Sequence, residues 1–383
     1  MDVKTIRENP LAIKRIEDIL HEAYSDNETF NTVFDSENII EINSLIKDRE
    51  AYNFLPSDVL FSMDRDAYFD ELENWSNGKV EEENREIIDY LKEIDKINIF
   101  TDLVQSIERK RIAPFVGAGL CSSLGFPTWG TALKEIVNRL EDIDLSNALE
   151  LIDSFKYLDA AEILLEQDET QFLNYITEKF SLRRDWDKEN IVVSALKLLP
   201  AISSGCVITT NYDRVLEKVF EFSSKPFEGF MYGTQQQNKF VTDLIKGDRC
   251  ILKLHGNVGE KESYIFSNSQ YEKAYGKELD FKKPLPKALR QIFISHSLLF
   301  LGCSLEQDRT LELFKQIKDE EEFEIPDHFA FLPKPKTAKE KREKENRLLK
   351  INIKVIWYPT DEHDYVEKLL KLAIEVSNKK IRI

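Results

Sequence analysis

Four short apolar stretches of this chain each end in a cluster of glycine or polar residues. They are residues 112–116, 207–210, 251–254 and 298–301, and the clusters that follow them read GAG, NYD, HGN and GCS. Continuous apolar runs of this length are typical of the strands of a parallel sheet, because helices cover both faces of such a sheet. Ligands of open parallel sheets bind at the carboxyl ends of the strands. The sequence therefore predicts one site that collects a glycine turn, an Asn, an Asp and a His around a phosphorylated ligand.

The order of the remaining segments predicts an α/β domain preceded by a helix-rich one. Residues 1–102 are acidic and have apolar positions at helical spacing, so we predict an accessory or assembly domain there. Residues 103–383 alternate apolar strands with amphipathic helices, as in a Rossmann-like sheet with crossover helices. Within them, residues 130–200 show helical periodicity and no strand signal, which predicts a helical insertion that caps the site. Two more strands are predicted at residues 328–332 and 353–357.

Two local features leave alternatives open. Pro114 lies inside the first predicted strand, although proline has no N–H for the ladder of a central strand. We expect either that pairing starts after Pro114 or that the strand is irregular at its entry. Residues 334–350 are rich in Lys, Arg and Glu at helical spacing. A solvated helix with internal ion pairs is the favoured interpretation, and a basic contact patch is the alternative.

Charge and cysteine content exclude several classes of protein. The chain has 70 acidic and 53 basic residues, a formal charge of −17, so we expect no direct binding to nucleic acid phosphates. Its four cysteines, at positions 121, 206, 250 and 303, have no metal-ligand spacing and predict neither a zinc site nor a disulfide framework. A signal peptide and an apolar run of the roughly 20 residues that cross a bilayer are both missing. We expect a cytoplasmic protein without membrane contact.

The turn Gly117-Ala118-Gly119 follows a predicted strand and precedes a helix. Glycines there let backbone N–H groups approach a pyrophosphate, and the dipole of the helix favours the negative charge. A plain strand-to-helix turn explains the two glycines about equally well. A P-loop also needs a Lys followed by Ser or Thr, which this turn lacks, so hydrolysis of nucleoside triphosphates is disfavoured.

Asn211, Asp213 and His255 are the candidates for chemistry. Asn211 and Asp213 lie between a predicted strand and a helix, where one short polar side chain commonly caps the helix. The second of the pair is then left for a ligand, and an Asn amide can both donate to and accept from a ribose hydroxyl or a carboxamide. His255 follows a strand directly. It is either a hydrogen-bonded core histidine or a general base at the end of a strand.

The order of these clusters resembles the sirtuin fold, and most closely the sirtuin-like proteins of bacterial anti-phage defence. The resemblance covers residues 112–374 and rests on five short motifs, at residues 117–119, 126–129, 210–213, 253–256 and 302–304, the last with Asp308. It implies that NAD is the ligand. It also implies a role for each matching position: Gly117, Ala118 and Gly119 at the pyrophosphate, Asn211 and Asp213 at the nicotinamide and its ribose, His255 as catalytic base, and Gly302, Ser304 and Asp308 at the adenosine half. Thr210 is a further position expected to bind NAD.

One departure from the family changes the expected reaction. Sirtuins that deacylate proteins carry two pairs of zinc-binding cysteines, and this chain offers no such pairs. We therefore expect no zinc, and we expect water to capture the ribose of NAD in place of an acyl group. NAD would then be a substrate that is cleaved to nicotinamide and ADP-ribose.

Such an activity is toxic to its own cell and needs control. The family implies a homo-oligomer and an activating partner, either a HerA-type DNA-translocase ATPase or a phage-derived protein. Three alternatives stay open from the sequence. They are a subunit that binds NAD or ADP-ribose without cleaving it, a nuclease component of a defence complex, and a protein deacylase.

Overall fold

The computed structural model describes residues 10–36, 39–42, 52–140, 144–183, 186–203, 205–235, 239–306, 309–320 and 324–383. The chain divides into two compact units, Met1–Arg85 and Glu86–Ile383. The predicted division into an accessory domain of residues 1–102 and a catalytic domain of residues 103–383 stays a prediction.

The first unit is rich in helices, as predicted. Its elements are α1 (Pro10–Ser25), α2 (Glu28–Asp35), β1 (Ile40–Ile42), β2 (Tyr52–Phe54), α3 (Pro56–Met63) and the first part of α4 (Arg65–Glu93). β1 and β2 form an antiparallel pair. Phe30, Phe61 and Tyr68 form its buried core, where the Tyr68 hydroxyl donates to Asn31 Oδ1 at 2.6 Å. Aromatic packing and this hydrogen bond hold the helices together.

The second unit contains a sheet and its crossover helices. Its strands are β3 (Ile112–Val116), β4 (Cys206–Thr209), β5 (Gly229–Tyr232), β6 (Cys250–Lys253), β7 (Ser297–Leu301), β8 (His328–Pro333) and β9 (Ile353–Tyr358). Its helices after α4 are α5 (Ile97–Glu108), α6 (Ala118–Cys121), α7 (Trp129–Arg139), α8 (Ser146–Asp153), α9 (Tyr157–Phe180), α10 (Lys188–Ile191), α11 (Leu199–Ile202), α12 (Val215–Phe222), α13 (Phe240–Lys246), α14 (Asn268–Tyr275), α15 (Pro284–Ser295), α16 (Arg309–Glu320), α17 (Ala338–Leu349) and α18 (Asp364–Ser377). Short 3₁₀ turns lie at Ser122–Leu124, Ser194–Leu198 and Lys261–Ser263.

The seven strands form one parallel sheet in the order β5-β6-β4-β3-β7-β8-β9. Every residue of β3, β4, β6 and β7 is buried. Burial on both faces explains why these strands are continuous apolar runs in the sequence. The predicted class, an α/β fold with a Rossmann-like parallel sheet, is confirmed.

Pro114 lies within β3 and pairs with Leu299 of β7. On the other side of β3, pairing with β4 begins only at Phe115. Val116 O accepts from Thr210 N across that side, and alternate residues of a strand point the same way, so the missing N–H of Pro114 also faces β4. The first of the two alternatives therefore holds only on the side of β4, where pairing starts after Pro114, whereas pairing with β7 already begins at Ile112.

The described part of the segment between β3 and β4 consists of helices and the turns that join them and contains no strand, as predicted for residues 130–200. It contains α6 to α11, and α9 has a kink at Asp168, where φ is −154°. β5 is a strand that the sequence did not predict. It lies at the edge of the sheet beside β6.

Candidate functional site

The strand order places the site. The chain passes from β3 to β4 on one side of β3 and later returns to β7 on the other side. In open parallel sheets, such a reversal leaves a crevice at the carboxyl ends of the strands. The turns that meet there are the glycine turn (residues 117–119), the Asn211 turn (residues 210–213) and the β7 turn (residues 302–306). The His255 turn (residues 254–257) follows β6, the strand next to β4.

The glycine turn packs directly against the β7 turn. Gly117 N donates to Leu301 O at 2.9 Å, and Gly119 N donates to Gly302 O at 3.0 Å. A Cβ at Gly117 would lie 2.4 Å from Gly302 O, and one at Gly302, where φ is +66°, would lie 2.3 Å from Leu120 N. Backbone contact between the two turns therefore requires glycine at both positions. The structure gives these glycines a packing role that the sequence did not reveal.

Asn211 is buried, with 6% of its surface exposed. Its Nδ2 donates to Cys121 Sγ at 3.3 Å and to Gly117 O at 3.4 Å. Burial raises the pKa of the Cys121 thiol well above its usual range, so the sulfur that faces the amide is uncharged. Asn211 Oδ1 is buried without a hydrogen-bond partner among the described residues. Buried acceptors of this kind are rare, and a ligand is one explanation for them.

Asp213 is also buried, with 3% of its surface exposed. Its Oδ1 accepts from Val215 N, the first residue of α12, at 3.0 Å, whereas the N-cap residue of α12 is Arg214. Burial raises the pKa of its carboxyl to about 6, although the ammonium of Lys253 acts in the opposite direction. Asp213 therefore binds the start of α12 from the position before the N-cap, and neither Asn211 nor Asp213 is the N-cap residue.

His255 is half-buried and lies beside two tyrosines. Its Nε2 is 2.7 Å from the hydroxyl of Tyr271, and its ring centroid is 6.1 Å from that of Tyr212. Tyr271 belongs to α14. The sequence did not single it out, because nothing in its local pattern distinguishes it from a core tyrosine.

The helical insertion holds the start of α14 through two acidic residues of α9. Glu162 Oε2 accepts from Ser269 N at 2.9 Å, and Glu162 Oε1 accepts from Ser269 Oγ at 2.7 Å. Asp159 Oδ1 accepts from Asn268 Nδ2 at 2.5 Å. The insertion is therefore connected to the helix that carries the partner of His255.

Aromatic rings from the insertion and from the site loops pack together over Tyr212. Trp129 stacks on Phe266 with a centroid distance of 5.6 Å and an interplanar angle of 14°. Tyr212 lies 5.0 Å from Phe266 and 5.5 Å from Phe180. Trp129 is half-buried, so it is neither a fully buried core residue nor an exposed surface residue.

The β7 turn is held from the side of α17. Lys344 Nζ donates to Ser304 O at 2.6 Å and pairs with Glu306, and Arg347 donates to Leu305 O at 2.8 Å and to Glu306 Oε2 at 3.2 Å. Partial burial alone would raise the pKa of Glu306, but the two cations lower it below its usual value. Of the charged segment at residues 334–350, these two side chains therefore have an internal role.

Thr210 and Asp308 are two further positions that the sequence predicts to contact NAD. Thr210 N donates to Val116 O at 3.2 Å, and the side chain of Thr210 is half-buried. Asp308 lies outside the described residues.

Lys253 is a buried charged residue that the sequence did not indicate as part of the site. Its side chain has no exposed surface, and its Nζ approaches Tyr212 O, Asp213 O, Glu217 Oε1 and Asn257 Oδ1. In sequence, a lysine at the end of a predicted strand cannot be distinguished from a solvated surface lysine. The sequence pattern therefore did not indicate that Lys253 is buried.

Neither a cluster of metal-binding side chains nor a membrane-spanning helix is present in the part of the chain that the structure describes. There, no group of three or more His, Cys, Asp or Glu side chains is arranged to hold a metal ion. None of the described helices is long and apolar enough to cross a membrane.

The chain is similar to several known proteins over the segment that contains these turns. The family model of the SIR2-like domain matches residues 205–356, which include the Asn211, His255 and β7 turns. The chain is 24% identical over 233 residues to NAD(+) hydrolase ThsA of Bacillus cereus strain MSX-D12, a match that covers 61% of this chain and 45% of that protein. It is 22% identical over 229 residues to NAD(+) hydrolase ThsA of Enterococcus faecium, which covers 59% and 44%. The chain thus spans less than half of the length of either relative.

Solved structures of Sir2 homologue mutants are also similar to this chain. A complex with ADP ribose has a TM-score of 0.39 at 13% identity and covers 75% of this chain and 99% of its own. A complex with 2′-O-acetyl ADP ribose has a TM-score of 0.38 at 12% identity and covers 73% and 97%. The family match and the two relatives together show that residues 205–356 resemble the SIR2-like domain and that the chain is similar in sequence to two proteins named NAD(+) hydrolase ThsA.

Proposed function

We propose that this protein is an NAD⁺ glycohydrolase, which hydrolyses NAD⁺ with one water molecule to nicotinamide, ADP-ribose and a proton. The observation that carries the proposal is the buried, unpartnered Oδ1 of Asn211 at the carboxyl end of β4. His255 follows the neighbouring strand, where Leu254 N donates to Thr209 O at 2.8 Å. The homology to two proteins named NAD(+) hydrolase supports the choice of substrate.

The reaction asks little covalent chemistry of the protein. Nicotinamide leaves NAD⁺ as a neutral molecule, so the positive charge moves to the ribose as the glycosidic bond breaks. Positioning of the reactants and electrostatic stabilisation are the main contributions that a protein can make to such a step. The site supplies a carboxyl, an amide and an imidazole for this purpose.

Asn211 is proposed to act as a hydrogen-bond acceptor. Its Nδ2 is already engaged by Gly117 O and Cys121 Sγ, which leaves Oδ1 for the ligand. The group that meets Oδ1 must be a donor, either the attacking water or a ribose hydroxyl. In this proposal His255 takes up the proton that water releases as it bonds to the ribose, and ionised Asp213 stabilises the developing positive charge.

The remaining predicted positions are proposed to bind NAD without taking part in the chemistry. Gly117, Ala118 and Gly119 are assigned to the pyrophosphate, Thr210 to the ribose, and Gly302, Ser304 and Asp308 to the adenosine half. The N–H groups of Gly117 and Gly119 already donate to backbone carbonyls. Their contribution would therefore be close approach of a backbone without side chains, and not donation from these two groups.

The test is NAD⁺ loss and nicotinamide release by the wild-type protein, Asn211→Ala and His255→Ala. Loss of a general base typically slows a reaction by roughly 10²- to 10⁴-fold, and we expect a decrease in this range for His255→Ala. His363→Ala is the matched control, because His363 lies at the start of α18 and has no part in the site. Unchanged hydrolysis in both site variants would contradict the proposal. Binding of NAD by a wild-type protein that never cleaves it would favour the non-hydrolytic alternative.

We further propose that the enzyme is a regulated, homo-oligomeric effector of bacterial anti-phage defence whose activation depletes cellular NAD. Such depletion would cause abortive infection, and the activator would be a HerA-type ATPase or a phage-derived protein. NAD⁺ loss is to be measured with the purified protein alone and after addition of each candidate activator. Full turnover by the isolated protein would show that no activator is needed.

A further inference from the structure

Lys253 lies beneath the two turns to which we assign the chemistry. It is the last residue of β6, and its Cα is paired with that of Thr209 in β4. An ammonium group has three hydrogens to donate and cannot accept. A lysine with no exposed surface must therefore be matched by acceptors inside the protein.

The acceptors of Lys253 come from both turns. Its Nζ donates to Tyr212 O at 3.2 Å and to Asp213 O, which are backbone atoms of the Asn211 turn. It also donates to Asn257 Oδ1 at 2.9 Å, in the His255 turn. Glu217 Oε1 of α12, at 3.2 Å, supplies the negative charge.

A second link joins the same two turns. Val258 N donates to Tyr212 O at 2.8 Å, so Tyr212 O accepts from the backbone after the His255 turn as well as from Lys253. The backbone of Asn211 is fixed in addition by Thr209 Oγ1, which accepts from Asn211 N at 3.0 Å and donates to Val116 O at 2.8 Å. Neither the hydrogen bond between Val258 and Tyr212 nor the two hydrogen bonds of Thr209 Oγ1 involves the side chain of Asn257.

We propose that Lys253 is a positioning residue that holds the Asn211 turn and the His255 turn at the separation that NAD⁺ cleavage requires. The expected effect of Lys253 on catalysis rests on the proposed function. The expected effect of Lys253 on the backbone of the two turns does not. A direct contact between Lys253 and the substrate is not part of the proposal.

The variant Lys253→Met alone leaves Glu217 as an uncompensated buried charge, and breaking one half of a buried pair destabilises a protein strongly. Lys253→Met with Glu217→Gln removes both charges, a change that proteins tolerate much better. Glu217→Gln alone removes the carboxylate partner of Lys253 and should lower the melting temperature, but it keeps the contacts of Lys253 to both turns, so the folded protein should retain wild-type kcat. Lys354→Met with Asp327→Asn is the matched control, because Lys354 Nζ lies 2.7 Å from Asp327 Oδ2 in an ion pair of β9.

The experiment measures kcat, KM for NAD, the melting temperature and amide hydrogen exchange of peptides that contain Val215 and Val258. The double variant at Lys253 should melt close to wild type, lose at least tenfold in kcat with a smaller change in KM, and exchange faster at both peptides. The Lys354 double variant should change none of these at the site. Wild-type kcat and exchange in a folded Lys253 double variant would overturn the proposal.

Two further readouts keep the outcomes separate. If the wild-type protein cleaves no NAD, the proposed function fails, while the exchange data still decide whether Lys253 holds the turns. If the double variant does not fold, Asn257→Ala takes its place, because it removes the acceptor of Lys253 in the His255 turn. A folded Asn257→Ala protein with wild-type kcat and unchanged exchange at Val258 would overturn the proposal.

Discussion

The hydroxyl of Tyr271 lies 2.7 Å from Nε2 of His255. A histidine that acts as a base uses one ring nitrogen for the reaction, and a hydrogen bond to the other nitrogen selects its tautomer and orientation. The hydrogen bond from Tyr271 therefore helps to fix the orientation of the His255 ring.

We expect Tyr271→Phe to lower kcat about fivefold, since one neutral hydrogen bond contributes roughly 1 kcal/mol. The measurement is steady-state NAD⁺ cleavage. Tyr358→Phe is the matched control, because Tyr358 Oη lies 3.1 Å from Nδ1 of His363 in a pair of the same type. Equal kcat values for the two variants and the wild type would mean that Tyr271 does not orient His255.

From the proposed role of the Asp213 carboxyl, we expect NAD⁺ cleavage to be sensitive to acid. Burial raises its pKa to about 6, so the group is ionised above that pH and neutral below it. If the ionised form stabilises the charge on the ribose, kcat/KM should rise with pH and level off above about 6.

Asp213→Asn separates this electrostatic role from the hydrogen bond to the start of α12. An Asn side chain keeps an oxygen that can accept from Val215 N, so that hydrogen bond should be retained. We expect kcat to fall on the order of 100-fold and the shape of the pH profile near 6 to change, because only the proposed base His255 would still have to be unprotonated. A pH profile of Asp213→Asn with the same shape as that of the wild type would assign the limb to another group.

The contacts from α17 to the β7 turn predict an effect on binding. Lys344→Met removes the donor to Ser304 O and one partner of Glu306, which loosens the turn assigned to the adenosine half. Binding contacts that are equally strong in the ground and transition states change KM and leave kcat unaltered. We expect KM for NAD to rise about fivefold, the equivalent of one hydrogen bond of roughly 1 kcal/mol.

The control for Lys344→Met lies on the same helix. Lys339 is 84% exposed, and its Nζ is 3.9 Å from Glu343 Oε1, so Lys339→Met should leave KM unchanged. A decrease in kcat without a change in KM for Lys344→Met would place the β7 turn in the chemical step and not in binding.

Burial on both faces made most of the sheet predictable. Ile208 and Phe300 lie in strands that the sequence places within a residue of their observed bounds, because each strand is a run of apolar residues. The sequence did not predict β5, and the reasons are physical. Gly229 packs so closely on β6 that a Cβ there would lie 2.6 Å from Cys250 Sγ, and Phe230 is 37% exposed, so the strand has neither an apolar run nor clear alternation.

The candidate site was only partly predictable. Asn211, Asp213 and His255 follow strands directly, so their convergence depends on strand order, which the sequence motifs indicate. Tyr271 lies 16 positions beyond His255 and reaches it only through the packing of α14. Gly117 shows a second limit, since glycine serves a phosphate-binding turn and a close backbone contact equally well, and only the position of Leu301 O distinguishes them.

His328 predicts how the stability of the fold depends on pH. It is fully buried in β8, its Nδ1 accepts from Leu298 N at 3.0 Å, and burial together with the Lys318 ammonium lowers its pKa to about 3. Its pKa in the unfolded chain is about 6.5, so between pH 3 and 6.5 the unfolded state binds the additional proton and stability falls as the pH falls. When the pH is lowered from 7.5 to 5, we expect protonation of this histidine in the unfolded chain to lower the free energy of unfolding by up to about 2 kcal/mol. Urea denaturation at each pH measures this change. His328→Asn keeps an acceptor for Leu298 N but does not titrate, so its free energy of unfolding should depend less on pH by about that amount. Parallel pH dependences of the two proteins would show that His328 is not the group responsible.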